Sequence, residues 1–217
     1  MEIILVRHAE TAFDSGEPRF RGQVNISLSE SGWQGAESLG KYLHKKSIDK
    51  IYYSKQKCNQ ETASKIKEYQ VLTEMIEEPL LCDMSFGEWA GRLVSDVFPN
   101  NSDYEHWLNN PEKVIIPGGD KIEEVMRRVR ELITKLKTNS PNSCVVLVSH
   151  KIVLALILCE LFGLEPKYMW RFELSKGSIS KLIFLPNGDF LLHELNRTCH
   201  LAEYELDKAE PPKLVAR

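Results

Sequence analysis

The chain has no apolar run long enough to cross a bilayer. Its longest, residues 152–158, falls far short of the roughly 20 residues that a membrane-spanning helix needs. No basic segment precedes the apolar start Met1-Glu2-Ile3-Ile4-Leu5-Val6, so a secretory signal is not expected. Cysteine is sparse: Cys58, Cys82, Cys144, Cys159 and Cys199 are odd in number, dispersed, and form no CxxC pair. That argues against a disulfide framework and a cysteine-based zinc site, and favours a reducing cytoplasm. Charge of one sign is missing too. The 28 Lys and Arg nearly balance 31 Asp and Glu, giving −3, so no global field recommends nucleic acid or an anionic membrane as partner. Repeats and low-complexity linkers are absent.

What remains is an ordinary globular composition, 42% hydrophobic and 27% charged over 217 residues, the size of one domain with a sizeable core. Residues 2–6 read as a buried strand. Ser29 or Ser31 caps a helix reaching about Lys46. A second strand over 48–53 leads to a helix over 58–69. Residues 79–91 read as a loop, and 92–116 as a short insertion without strong periodicity. Asp120 is expected to cap a long helix to about Lys137, with Ile122, Val125, Val129, Leu132 and Leu136 on one face. Residues 144–149 are the clearest buried strand. An apolar helix over 152–162 stops at Gly163. Strands over 179–185 and 190–195 flank the turn Pro186-Asn187-Gly188-Asp189. The alternation predicts one α/β domain over 1–201, a three-layer α/β/α sandwich with a mostly parallel sheet and one antiparallel edge strand. Residues 202–217 are expected to form a C-terminal tail.

In parallel sheets, sites gather at the C-terminal ends of strands. Two such ends carry the same residue type: Val6 is followed by Arg7-His8, and Val148 by Ser149-His150. One histidine of this kind reads as structural; two, one beside an arginine, read as a site.

Several segments then resemble the histidine phosphatase, or phosphoglycerate mutase-like, superfamily over residues 1–201. They are Leu5-Val6-Arg7-His8-Ala9-Glu10-Thr11, Arg19-Phe20-Arg21-Gly22, Leu28-Ser29-Glu30-Ser31-Gly32, the Leu81 to Gly91 stretch around Asp83, Pro117-Gly118-Gly119-Asp120, and Val146-Leu147-Val148-Ser149-His150. Asn196-Arg197-Thr198-Cys199-His200-Leu201 resembles the closing motif of the α-ribazole phosphatase subgroup. The resemblance implies hydrolysis of a small phosphomonoester through a phosphohistidine, with no cofactor and no metal. His8 would be the nucleophile. Arg7 would fork onto the phosphoryl group, and His150 would donate to one of its oxygens. Asp83 would act as acid and then base; its alternative reading is a solvated loop carboxylate.

The pattern is incomplete. The family's second arginine falls, by alignment on Thr62-Ala63, on Cys58. Asp83 replaces the commoner Glu, and Ala9 and Lys151 each replace a Gly. Three readings stay open. In the first, Lys57 or Lys151 supplies the missing charge. In the second, the pocket is retuned, with Cys58 as a reactive thiolate or, more plainly, an apolar filler. In the third, the chain is a binding protein that has lost turnover. A phosphomutase is a further alternative, disfavoured by the shortness of 92–116, the segment expected to contact the rest of the substrate. Arg19 and Arg21 face the pocket rim or are solvated. Trp89, Trp107 and Trp170 are expected in core or lid. His44, His106, His193 and His200 receive structural or surface readings, and the Arg127-Arg128-Val129-Arg130 run a solvated one.

Overall fold

A computed structural model describes residues 1–14 and 16–201; the expected 202–217 tail lies outside the described residues. The strands are β1 (Glu2–Arg7), β2 (Lys50–Tyr53), β3 (Glu74–Glu77), β4 (Cys144–Ser149), β5 (Ile179–Phe184) and β6 (Phe190–Arg197). They form one sheet in the order β3-β2-β4-β1-β5-β6. β1, β2, β3 and β4 are mutually parallel, and β5 runs antiparallel to both of its neighbours. The reversed strand therefore stands one place in from the edge, with β6 outside it.

Period-two alternation explains the layering. Ile4, Val6, Ile51, Val146 and Val148 face one way, onto Leu39 and Leu43 of helix α1 (Glu30–Leu43) and Ala63 and Ile66 of helix α2 (Lys57–Glu68). Ile3, Leu5, Tyr52, Val145 and Leu147 face the other way. There they meet Val125, Val129, Leu132 and Leu136 of helix α5 (Ile122–Asn139) and the apolar helix α6 (Lys151–Phe162). Strands buried on both faces lack a polar side, which is why 144–149 reads as a continuous apolar run.

Helix ends follow local chemistry. The Ser29 hydroxyl accepts from the Gly32 amide at 3.0 Å and starts α1. Gly163, at φ 64°, ends α6 in the left-handed region. The long helix begins one residue later than expected, capped from Lys121 with Glu124 reaching back to its amide at 2.7 Å. Asp120 instead accepts from the Ser85 amide at 2.9 Å and from Arg128 at 3.1 Å, tying the Asp83 loop to α5.

The 92–116 insertion is more regular than its sequence suggests. It forms helices α3 (Val94–Val97) and α4 (Asn101–Asn109). Trp107 of α4 is 2% exposed and packs edge-on to Phe20, Phe86, Trp89 and Trp170. The insertion is thus held by an aromatic cluster that also stiffens the Arg19–Gly22 and Phe86–Trp89 segments. No helix among the described residues is long and apolar enough to cross a membrane.

Candidate active site

Register brings the two histidines together. In the β1–β4 pair Val6 faces Val148 and Arg7 faces Ser149, and the His8 amide donates to Ser149 O at 3.0 Å. The residues leaving these two strands are consequently neighbours. The His8 and His150 rings lie 5.2 Å apart at 61°, each 2% exposed.

His8 is oriented through its far nitrogen. Nδ1 donates to the Ala9 carbonyl at 2.7 Å, which leaves the Nε2 lone pair for other partners. Burial, then the Arg21 and Arg7 charges, push its pKa down to about 3, so the ring is neutral at physiological pH. The Ala9 amide donates to Thr62 Oγ1 at 3.1 Å, and that hydroxyl donates to Cys58 O at 2.7 Å. Helix α2 therefore fixes the loop that follows His8.

Arg21 brings a cation into contact with His8. Its Nη1 donates to His8 Nε2 at 3.0 Å, and its Nη2 is paired with Asp14. Asp14 closes its own loop by accepting from the Thr11 amide and hydroxyl at 2.7 and 2.8 Å, and meets Lys176 at 3.5 Å. Burial alone would raise the Asp14 pKa; Arg21 and Lys176 outweigh it and hold the carboxylate well below the usual range. Arg7, partly buried alongside, donates to Leu174 O at 2.7 Å.

His150 receives the Asn59 side-chain amide on Nε2 at 2.8 Å, with Ser54 and Gln56 oxygens at 3.2 and 3.3 Å. Its Nδ1 has no hydrogen-bond partner and lies 3.6 Å from Asp83 Oδ2. Burial raises the Asp83 pKa to about 7, against the pull of the Met84 amide and of Arg21. Asp83 is therefore a buried carboxyl poised near neutrality rather than a solvated one. Its backbone carbonyl accepts from Gln23 at 3.1 Å, and Arg128 donates to Cys82 O at 2.7 Å. The Arg127–Arg130 run is thus only partly solvated: Arg130 pairs with Glu123 and Glu160 on the surface, while Arg128 buttresses the acid loop.

Arg7, His8, Arg21, Asp83 and His150 line one cavity of about 340 Å³. Arg19 and Lys151 lie on its wall, Lys151 beside Glu173 at 3.3 Å. Lys57 is not brought in: its ammonium is half-exposed and 3.8 Å from Glu61, because its position opens α2 on the solvent side. Cys58 is 1% exposed, packs with Ala9, Leu28 and Ala36, and is not on the cavity wall. Burial pushes its thiol up to about 12, so the reactive-thiolate reading fails; desolvation overrides the helix N-terminus. Of residues 92–116 only Trp107 reaches the cavity; its outer wall is built largely by the segment around Phe13 and residues 16–22, because the insertion spends its aromatics on the core.

A neutral imidazole whose Nε2 accepts from an arginine, beside a buried carboxyl poised near neutrality, has the makings of a phosphoryl-transfer site. The whole chain agrees: residues 3–198 match the family described as histidine phosphatase superfamily, branch 1. The chain belongs to the histidine phosphatase superfamily. It is 32% identical to phosphoserine phosphatase 1 of Hydrogenobacter thermophilus, over 95% of this chain and 97% of that one. It is 28% identical to the adenosylcobalamin/alpha-ribazole phosphatase of Escherichia coli over 84% and 89%. The crystal structure of the alpha-ribazole phosphatase from Shigella flexneri superposes with a TM-score of 0.82 at 26% identity, covering 91% and 97%. This chain is accordingly a phosphatase of the histidine phosphatase type.

Sequence reasoning missed Asp14, Asn59 and Thr62. Each acts by orienting another site residue, and only the three-residue spacing of Thr11 to Asp14 signals such a contact in the chain itself.

Proposed function

We propose that this histidine phosphatase hydrolyses a small phosphomonoester in two displacements, with His8 as nucleophile and Arg21 in the role that Cys58 leaves vacant. His8 Nε2 attacks phosphorus as the ester oxygen leaves, and Asp83, protonated, gives that oxygen its proton. Water then attacks the phosphohistidine, its proton passing to Asp83, and His8 leaves as the neutral imidazole. Arg7 and Arg21 bind the equatorial oxygens, and the unpartnered His150 Nδ1–H donates to one of them.

The observation that carries this reading is the 3.0 Å contact from Arg21 Nη1 to His8 Nε2. A guanidinium aimed at the attacking lone pair lies beside any oxygen on the phosphorus that this lone pair attacks. Asp14 presets the fork, so little entropy is lost on binding. The aromatic wall of Phe13, Phe86, Trp107 and Trp170 suits a small organic leaving group. Lys151 at the rim suits a carboxylate on it, which makes phosphoserine, the substrate named for the Hydrogenobacter relative, the first compound to assay. Turnover of phosphoserine or a generic aryl phosphate, abolished by His8→Ala, supports the reading; no turnover with any monoester contradicts it. Phosphate released in ¹⁸O-water carries solvent oxygen if water, rather than a second substrate hydroxyl, is the acceptor.

A further inference from the structure

Cys58 has no step in the mechanism above, yet it stands beside both histidines. One donor atom from each of His8, Cys58 and His150 lies within 4.8 Å of the other two, and all three residues are buried. We infer that this trio is a binding site for a thiophilic divalent cation, zinc being the probe of choice, and that such an ion shuts off phosphoryl transfer.

The donor set suits the ion. Two imidazoles and a thiolate are ligands that zinc accepts in sites with an open fourth position. Binding turns two lone pairs to the ion: that of His8 Nε2, which otherwise accepts from Arg21 at 3.0 Å, and that of His150 Nε2, which otherwise accepts from Asn59 at 2.8 Å. With Zn–N near 2.0–2.1 Å and Zn–S near 2.3 Å, a tetrahedral centre puts donors roughly 3.3–3.6 Å apart, so closure demands about 1.5 Å at most. A second observation points to a ligand here. His150 Nδ1 and Asn59 Oδ1 are buried polar atoms without hydrogen-bond partners, both next to the trio. The cavity that admits phosphate reaches His8 and His150, which gives the ion its entry path.

Binding balances simply. The Cys58 S–H bond breaks, its proton goes to solvent, and the sulfur lone pair forms the metal bond while one ring nitrogen of each histidine donates its own pair. A water fills the fourth position. The thiolate and the Asp83 and Asp14 carboxylates face the ion; Arg7, Arg21 and Lys176 oppose it. The site therefore binds only a metal that gains strongly from sulfur, and magnesium is expected to leave the enzyme untouched. Occupancy takes the lone pair that attacks phosphorus, so the inhibition rests on the phosphatase reading above, whereas the binding does not.

Two readouts keep these apart. Cobalt(II) titrated into the metal-free full-length protein is expected to bind with 1:1 stoichiometry and to show a near-ultraviolet thiolate-to-cobalt charge-transfer band that Cys58→Ser removes. X-ray absorption of the zinc-loaded wild-type protein is expected to show one sulfur and two imidazole nitrogens. A shell without sulfur, or a band that survives Cys58→Ser through one of the other cysteines, overturns the site. Turnover of an aryl phosphate by each protein, with and without zinc and after chelation, tests the consequence. Zinc is expected to inhibit the wild type reversibly. Cys58→Ala, compared with itself without metal, is expected to need more than about 10-fold more zinc, since even groups outside the coordination sphere change metal affinity by 10–100-fold. Equal sensitivity of the two proteins contradicts the proposal. A charge-transfer band in a protein that turns over no monoester would sink the phosphatase reading and leave the site standing.

Discussion

Arg21 donates to His8 Nε2 at 3.0 Å while its other nitrogen is held by Asp14. This pairing places a fixed positive fork against the His8 ring from the loop that follows β1, whereas the α2 position where the resemblance expects an arginine carries Cys58.

Removing that fork should slow the reaction strongly. Arg21→Ala is expected to lower kcat/KM by roughly 10²–10³, about 2–4 kcal/mol of lost charge stabilisation. Arg21→Lys should recover only part of this, because an ammonium cannot reproduce the planar two-point contact. Steady-state kinetics on a single phosphomonoester checks both. Wild-type rates in Arg21→Ala would return the missing charge to another group.

The acid predicts a leaving-group effect. Asp83→Asn should abolish hydrolysis of alkyl phosphates, whose alkoxide needs a proton, but spare the first step with a nitrophenyl ester, whose phenolate departs unaided. Stopped-flow should then show a nitrophenolate burst followed by slow turnover, since the second step loses its base. In the wild type, kcat/KM for an alkyl phosphate should fall as pH rises through about 7, where Asp83 loses its proton. His8 stays neutral down to about pH 3 and sets no limb near neutrality.

The same group makes folding depend on pH. Asp83 binds its proton more tightly folded, with a pKa of about 7, than unfolded, where the ordinary value is 3.8. Between these values the native state holds the extra proton, so stability falls as pH rises from about 4 to 7. Asp83→Asn, which cannot ionise, should therefore gain more Tm relative to wild type at pH 8 than at pH 4. Thermal melts at the two pH values check the sign.

Gly87 should resist replacement. It has φ 45°, and a Cβ there would meet Pro117 O at 2.1 Å. Gly87→Ala must push the acid loop off the 117–119 turn, where the Glu88 amide donates to Pro117 O at 2.9 Å. A loss of more than about 1 kcal/mol is expected from the backbone conformation alone. Urea unfolding measures it.

Lys151 should act on the substrate rather than on the phosphate. Lys151→Ala is expected to raise KM for phosphoserine and leave an aryl phosphate that carries no carboxylate almost unaffected. Equal effects on the two would argue that it serves the phosphoryl group instead.

The chain's legibility divides along physical lines. The strand ends at His8 and His150 were readable because parallel strands buried on both faces are unbroken apolar runs, and their ends mark the sheet's functional edge. β3 was not, because Glu74-Met75-Ile76-Glu77 is a short edge strand with charged ends and half-buried centres. Helix α4 escaped because Trp107, its only buried residue, gives no periodicity. At the site, Arg21 was ambiguous between rim and solvent; its place depends on Asp14, which folds back through the Thr11 amide and hydroxyl. Lys57 looked like a rescuing charge by proximity in sequence, but the start of α2 turns it to solvent.

The central claim is that phosphate passes through His8. The direct measurement is to mix enzyme with ³²P-labelled phosphomonoester, quench in alkali within milliseconds, where phosphohistidine survives, and map the label by mass spectrometry. The account predicts phosphate on the peptide carrying His8, acid-labile and absent from His8→Ala. Turnover with no label on His8, or with label on another residue, would contradict it.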